Sequence, residues 1–545
     1  MNDLLHGHTT GSTGPVECLG QTFPSEQARR EHFTKLLAEK LKDPAFRKIE
    51  GFPQGTDEAI LAMSDPPYYT ACPNPFLEDF VRHYGKPYDP SVKYSREPQT
   101  VDVTVGKTDA LYKAHSYHTK VPHLAIVPSI LHYTEPGDIV LDAFGGSGMT
   151  GVAAQWCGLA PAAYRHELEM EWKKQGKPAP KWGARRAVIN DLSPAATFIG
   201  ANYNIPLDVE AFAKAGKQLL KELEQDIGWM YETTHTDGKT KGRIEYTVWS
   251  EVFTCPHCAG EVNFLDEALD DETKRVRDEF PCPHCSAELT KKKLEKLFET
   301  TVDPVSGKSI KTAKRVPSLI SYLVSGKRHE KKPDDFDLAV LAKIAALNFP
   351  AALPANRMMH APEDQQKWGD KWRAGSASFS HVHHLFLPRA AQAIGKLWEK
   401  ANANPNPRIR AFLLYMVEQS ISGLSVLNRY QPIQQGRPGG SQVNRQWAGV
   451  YDVASQHSEC SPWYNLGGKL DRLVKAFREY KVGAGNTAIT TGTAAQLGLP
   501  DSSIDYIFTD PPFGDNLEYS ELNFIVEAFH RVFTHQGPEA VMSDS

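Results

Sequence analysis

Two cysteine pairs of identical form, Cys255-Pro256-His257-Cys258 and Cys282-Pro283-His284-Cys285, lie 23 residues apart in this chain of 545 residues. Four thiolates brought together fill a tetrahedral zinc shell and leave no open position on the ion, so the role they predict is structural. His257 and His284 then read as turn residues. A second group is Asp142-Ala143-Phe144-Gly145-Gly146-Ser147-Gly148. Its glycines let a ligand approach the backbone and permit positive φ. A third is Asp510-Pro511-Pro512-Phe513, a carboxylate on a stiff two-proline turn beside an aromatic ring, and a near copy stands upstream at Asp65-Pro66-Pro67-Tyr68.

Each group needs an element to hold it. Residues 124–133 have helical period, Glu135-Pro136-Gly137-Asp138 reads as a turn, and Ile139-Val140-Leu141 as a buried strand ending on Asp142. Helical character resumes over 150–157, which places the glycines on a strand-to-helix turn. A second strand, 187–190, ends on Asp191, and Ser193-Pro194 opens a helix with an N-cap followed by proline at the first position. This is a β-α-β unit, whose connection at 169–186 is expected to be a surface hairpin or loop. A carboxylate at the end of the second strand can accept hydrogen bonds from both hydroxyls of a ribose, which selects Asp191. Two more strands are expected at 487–491 and 504–508, the second delivering Asp510 to a strand end.

Elsewhere the pattern predicts a helix over 24–48, mostly loop over 51–90 and an amphipathic helix over 211–231. A β-rich insert begins near 246 and runs to about 289, helices follow at 338–352 and 388–424, and a mobile loop spans 428–444. A formal charge of −5 provides no global basic field. Contact with nucleic acid would have to come from local clusters at 291–293, 308–315 and 327–332. The sequence has neither a secretion signal nor about 18 consecutive apolar residues, which predicts a cytoplasmic protein with no membrane span. Cys18, Cys72, Cys157 and Cys460 read as unpaired thiols.

Asp142-x-Phe144-x-Gly146-x-Gly148, preceded by His118-Thr119-Lys120-Val121-Pro122 and followed by the Asp-Pro-Pro-aromatic turn, resembles the S-adenosylmethionine-dependent DNA amino-methyltransferases. The resemblance covers residues 112–203 and 487–524. It implies that Asp142, Phe144, Gly146, Gly148 and Asp191 bind S-adenosylmethionine, with His118 and Pro122 in a segment that closes over it. It also implies that Asp510 and the Pro511 carbonyl accept the two hydrogens of an exocyclic amino group. Pro512 would stiffen that loop and Phe513 stack on a base flipped out of double-stranded DNA. N6 of adenine is preferred to N4 of cytosine. Asp510 is preferred to Asp65, because only 49 residues separate Tyr68 from His118.

The implied fold is α/β, a Rossmann-like methyltransferase sheet carrying an inserted four-cysteine zinc ribbon and a helical insert. The expected divisions are an N-terminal region (1–110), a cofactor half (111–205), a helical connection (206–250), the ribbon (251–300), a mainly helical insert that is a candidate target-recognition region (301–480) and an acceptor half (481–545). Only 32 residues follow Phe513, so the sheet is expected to be incomplete unless the N-terminal region or a second polypeptide completes it. The rival readings are a zinc-ribbon DNA-binding protein with an inactive or split methyltransferase fold, and methylation of an RNA base or a protein amide. Restriction-modification or anti-phage defence is the setting the resemblance suggests.

Overall fold

The computed structural model describes residues 14–87, 89–91, 93–270, 272–358, 379–434, 437–438, 440–444, 451, 453–512 and 519–539. It divides into two units: residues 1–213, 406–415 and 471–545 form one, and residues 214–405 and 416–470 the other.

The first unit is built on a parallel sheet. Its strands are β1 (Ile139–Asp142), β2 (Arg186–Asp191), β3 (Thr487–Thr491) and β4 (Tyr506–Ile507), in the spatial order β3-β2-β1-β4. Strands covered on both faces read as continuous apolar runs, and β1 and β3 are buried along their whole length. Ile139, Leu141, Val188 and Ala488 pack against Leu77, Phe80 and Val81 of the helix Leu77–Tyr84. Fully burying each such side chain stabilises the fold by about 1.5–3 kcal/mol.

Some helices of this unit begin with side-chain caps. In α1 (Glu26–Leu41) Ser25 caps the N-terminus, and the buried residues Arg29, Phe33, Leu37 and Leu41 recur every fourth position, as a single buried face requires. Helix α2 (His123–Tyr133) precedes β1, and α3 (Met149–Leu159) follows it. Helix α4 (Pro194–Asn204) follows β2, with the Ser193 side chain accepting from the Ala196 N–H and Pro194 in the first turn, as expected. Helix α5 (Tyr519–His530) follows Asp510-Pro511-Pro512 in the chain.

The structure refines three expectations for this unit. Residues 51–90, expected as mostly loop, hold two helices within that loop: Thr56 caps a helix at Asp57–Met63, the helix Leu77–Tyr84 follows, and the stretch between them lies along the edge of β3. The connection expected as a hairpin at 169–186 begins with a helix, Ala162–Lys174, whose Leu168 and Trp172 are buried. The N-terminal region adds one parallel edge segment to the sheet, through Ile489 N–H to Tyr68 O (2.7 Å), Thr70 N–H to Ile489 O (3.2 Å) and Thr491 N–H to Cys72 O (3.2 Å). That edge is beside β3, not beside β4.

The second unit contains more strand than its sequence suggested. The strand Lys241–Thr254 is buried through most of its length and pairs antiparallel with Arg315–Val324 and Gln456–Cys460. Residues 206–250 therefore hold a helix (Val209–Ile227) and then strands, and the expected helical insert opens with four strands between Phe298 and Lys331. Among the helices of this insert, Asp335–Ala345 is shorter than expected, and a break at Pro405 to Pro407 separates Pro388–Asn402 from Pro407–Val417, which lies mainly in the first unit. Asn428 is not in a surface loop. Its buried side chain donates to Gly423 O, Gln442 O and Ser458 O, tying the segment to the strand Gln456–Cys460.

Candidate active site

The four strands end on the residues that line a cavity of about 320 Å³. In open parallel sheets ligands bind beyond the carboxyl ends of the strands. β1 contributes Asp142 and the turn behind it, β2 contributes Asp191, Gly492 to Ala495 follow β3, and Phe508, Asp510 and Pro512 follow β4.

Asp142 is buried and fastens three pieces together. One carboxylate oxygen accepts from the Phe144 N–H (3.1 Å) and the Thr509 hydroxyl (3.3 Å), the other from the Thr150 hydroxyl in the first turn of α3 (2.5 Å). The turn after β1 is thereby tied to the residue immediately before Asp510. Asp191 does the same for the glycines, accepting from the Gly146 N–H (2.8 Å) and the Ser193 N–H (2.9 Å). Asn190 spans the gap, donating to Ala143 O and Gly492 O, both at 3.0 Å. Burial pushes both Asp142 and Asp191 up to about 6, against hydrogen bonds that favour ionisation.

The glycines are required by space and by φ. Gly146 (φ +49°) lies under Tyr117, and a Cβ there would sit 3.1 Å from the ring. Gly148 (φ +75°) is the N-cap of α3, where a Cβ would fall 2.8 Å from Gly200 Cα of α4. Gly146 and Phe144 line the cavity, whereas Gly148 packs behind it.

His118 is in the cavity wall with Tyr117, Thr119, Lys120 and Val121, whereas Pro122 is the N-cap of α2 and outside the wall. Lys120 donates to His115 O (2.7 Å) and to Tyr112 O, and burial pushes its ammonium down to about 7. Across the cavity Tyr519 holds Thr119 by a 2.5 Å hydroxyl contact and stacks on Tyr117 with ring centroids 6.3 Å apart. Tyr117, Lys120, Thr150, Tyr519 and Glu539 are cavity residues that sequence reasoning did not select. Thr150 had a signal, its place in the first turn after the glycines. Tyr519 and Glu539 had none, because the fold alone brings them back to β1.

The two Asp-Pro-Pro motifs are separated. Asp510 and Pro512 line the cavity, and the Asp510 carboxylate makes no hydrogen bond or ion pair among the described residues; Phe513 lies outside them. Asp65 follows a helix, and Arg29 occupies its motif, with Nη2 3.2 Å from Asp65 Oδ1 and Nη1 donating to Pro66 O at 2.8 Å. Arg30 takes the other carboxylate oxygen at 3.2 Å. Burial opposes ionisation of Asp65, but Arg30, Arg29 and Arg408 outweigh it and hold the carboxyl below its ordinary value.

In the second unit the four cysteines converge. The Cys255 and Cys285 sulfurs are 3.9 Å apart, those of Cys258 and Cys282 are 3.8 Å apart, and all four lie within 4.8 Å of one another. The N–H groups of His257 and His284 point at Cys255 and Cys282, each at 3.4 Å, which makes both histidines turn residues. Phe253, Val262, Phe264, Phe280, Leu289 and Leu294 pack around Cys255 and Cys282 as a small apolar core. No helix among the described residues is long and apolar enough to cross a membrane.

No curated protein and no solved structure matches the chain. Residues 33–178 match the family model described as DNA methylase, a span that holds β1, its glycine turn, the His118 segment and the Asp65 motif but not Asp191, Asp510 or the four cysteines at 255–285. Over that segment, about a quarter of its length, the chain is similar to DNA methylases.

Proposed function

We propose that the cavity beyond β1 to β4 binds S-adenosylmethionine and that Asp510 presents it with the exocyclic amino group of a base flipped from double-stranded DNA, adenine N6 in preference to cytosine N4. The observation that carries this reading is the Asp510 carboxylate, which makes no hydrogen bond or ion pair among the described residues and shares one cavity with the glycine turn and Asp191. When bound, S-adenosylmethionine supplies an electrophilic methyl group on a sulfonium centre. The chain's own part is positional. Gly146 leaves the backbone open to the ligand, Asp191 offers acceptors for ribose hydroxyls, and Asp142 holds the glycine turn and Thr509 in register through its hydrogen bonds.

An exocyclic amino group is a poor nucleophile because its lone pair is delocalised into the ring. Accepting its two hydrogens at Asp510 and the Pro511 carbonyl turns that lone pair toward the methyl group, and the carboxylate offsets the positive charge growing on nitrogen. Phe513 would stack on the base, and Pro512 keeps the loop stiff. Zinc suits the cysteine cluster, since a tetrahedron with zinc–sulfur distances of about 2.3 Å has sulfurs about 3.8 Å apart. Its place is structural, supporting the fold of the ribbon.

A second reading places transfer at Asp65, because the family match includes that motif and stops short of Asp510. The decisive assay incubates the full chain with unmethylated duplex DNA and tritiated S-adenosylmethionine, then separates N6-methyladenine from N4-methylcytosine after digestion. Label in N6-methyladenine that vanishes in Asp510→Ala and persists in Asp65→Ala is expected. Undiminished transfer by Asp510→Ala would overturn the assignment.

A further inference from the structure

In the second unit the hairpin formed by Phe298–Val302 and Ser309–Ala313 turns through Asp303, whose side chain is 2% exposed. The turn itself fixes the carboxylate: Oδ1 accepts from the Val305 N–H (2.8 Å) and the Ser306 N–H (3.4 Å), and Oδ2 from the Ser306 hydroxyl (2.8 Å). The short 3-10 helix Val382–Leu385 brings two imidazoles to the same group. His383 Nε2 is 3.0 Å from Oδ1 and His384 Nε2 3.3 Å from Oδ2. That helix is anchored independently of the histidines by buried Val382 and Leu385 and by the Val382 N–H to Asn356 O bond (2.9 Å).

Read as hydrogen bonding alone, this arrangement is oversubscribed. Five donors converge on one carboxylate, which has about four lone-pair sites. His383 Nδ1, on the far side of its ring, is buried without a hydrogen-bond partner among the described residues. The ligand atoms of Asp303, His383 and His384 all lie within 4.8 Å of one another. Their carboxylate-to-imidazole separations of 3.0 and 3.3 Å are close to the tetrahedral edge of about 3.4 Å that follows from metal–ligand distances of about 2.0–2.1 Å.

We propose that Asp303, His383 and His384 form a second metal site, separate from the four cysteines, that takes a divalent first-row transition ion, zinc foremost. Two imidazoles and a carboxylate are the donor set such ions prefer, and they exclude the softer thiolate chemistry of the ribbon. Binding through Nε2 places the ring proton of His384 on Nδ1. The Ser380 hydroxyl, 3.4 Å away, accepts it there, replacing the contact that Nδ1 receives from the Ser380 N–H at 3.2 Å. The ion fastens the hairpin tip to the 3-10 helix, and its remaining coordination is completed by water.

The test uses the full chain loaded with zinc and then dialysed against metal-free buffer. Elemental analysis should find about two ions per chain, and His383→Gln or His384→Gln, which keep an N–H donor for Asp303, should each hold about one. X-ray absorption of the wild-type zinc protein should show nitrogen or oxygen scatterers beside sulfur. Variants that stay folded by circular dichroism and retain the wild-type metal content would overturn the proposal. So would a wild-type zinc shell made of sulfur alone, a result that needs no variant to fold.

Discussion

Asp65-Pro66-Pro67-Tyr68 follows a helix and precedes an edge segment of the sheet, whereas Asp510-Pro511-Pro512 follows β4 and opens onto the cavity at the strand ends. The acceptors that could hold an amino group are, at the first motif, already engaged by the Arg29 guanidinium, a planar N–H donor that bridges the carboxylate and the proline carbonyl. At the second, the Asp510 carboxylate has no donor among the described residues. A short motif therefore specifies acceptor geometry, and its surroundings decide what fills it. At 65 it closes a buried ion-pair network between α1 and the chain beside β3; at 510 it faces the cavity at the strand ends.

The strongest way to break this contrast is at Asp510. Asp510→Ala should lower the rate of methyl transfer about 10³-fold, the scale expected when a preorganised acceptor is removed from a reacting group, while S-adenosylmethionine binding changes little. Single-turnover assays with saturating cofactor and DNA measure this. A loss under tenfold would show that Asp510 does not hold the amino group.

Asp65→Ala should do the reverse. Arg29 and Arg30 would lose their buried counter-charge, with side chains 3% and 14% exposed, so unfolding in urea should reveal a loss of about 3 kcal/mol. Transfer per folded molecule should stay within a few-fold of wild type. Catalytic collapse with unchanged stability would exchange the roles of the two motifs.

Gly148→Ala sharpens the comparison from the cofactor side. Its φ of +75° is in the left-handed region and the added Cβ would press on Gly200 at 2.8 Å, so the α3–α4 contact must open. A cost of about 2 kcal/mol in stability is expected, with weaker S-adenosylmethionine binding because the turn moves with α3. Calorimetric titration beside thermal melts would show both, and an unchanged melting temperature would mean that the close approach to α4 is relaxed in solution.

The sheet around this site was legible where local pattern and burial agree. The apolar run into Asp142, the Ser193-Pro194 start of α4 and the strand before Asp510 all carry their own signals. The helix Asp57–Met63 was hidden because 59–63 is apolar without a period that distinguishes strand from helix, and nothing near Asp65 in sequence announces Arg29, which lies 36 residues away. The strand Lys241–Thr254 was half hidden for another reason: burial on both faces removes the alternation by which an edge or half-exposed strand is recognised. Four cysteines needed no such context, since ligand spacing alone gathers them. The apolar cluster about Phe253 and Phe280 did need it, and it packs around Cys255 and Cys282.

Protonation gives the smallest and most specific separation of the two aspartates in the cofactor half from Asp65. Burial pushes Asp191 up to about 6 against the N–H groups of Ser193 and Gly146, and Glu539 adds to the rise; Asp142 also stands at about 6, while Asp65 is held low by its arginines. Asp142 and Asp191 bind protons more tightly folded than unfolded, so the stability they contribute is complete below about pH 4 and is lost as pH rises through about 6. Glu527, which burial pushes up to about 7 beside Ser193, extends that loss toward neutrality. Ligand binding has the opposite sign. A ribose hydroxyl donates to carboxylate oxygens, so affinity for S-adenosylmethionine should rise with pH between 5 and 7, by at most about tenfold per unit for one titrating group. In Asp191→Asn the rise should be reduced to what Asp142 supplies, and in Asp65→Ala it should be unchanged. An affinity that is flat from pH 5 to 7 in the wild-type protein would show that Asp191 already ionises well below 5, held there by its two backbone donors, and that its carboxylate serves the glycine turn more than the ribose.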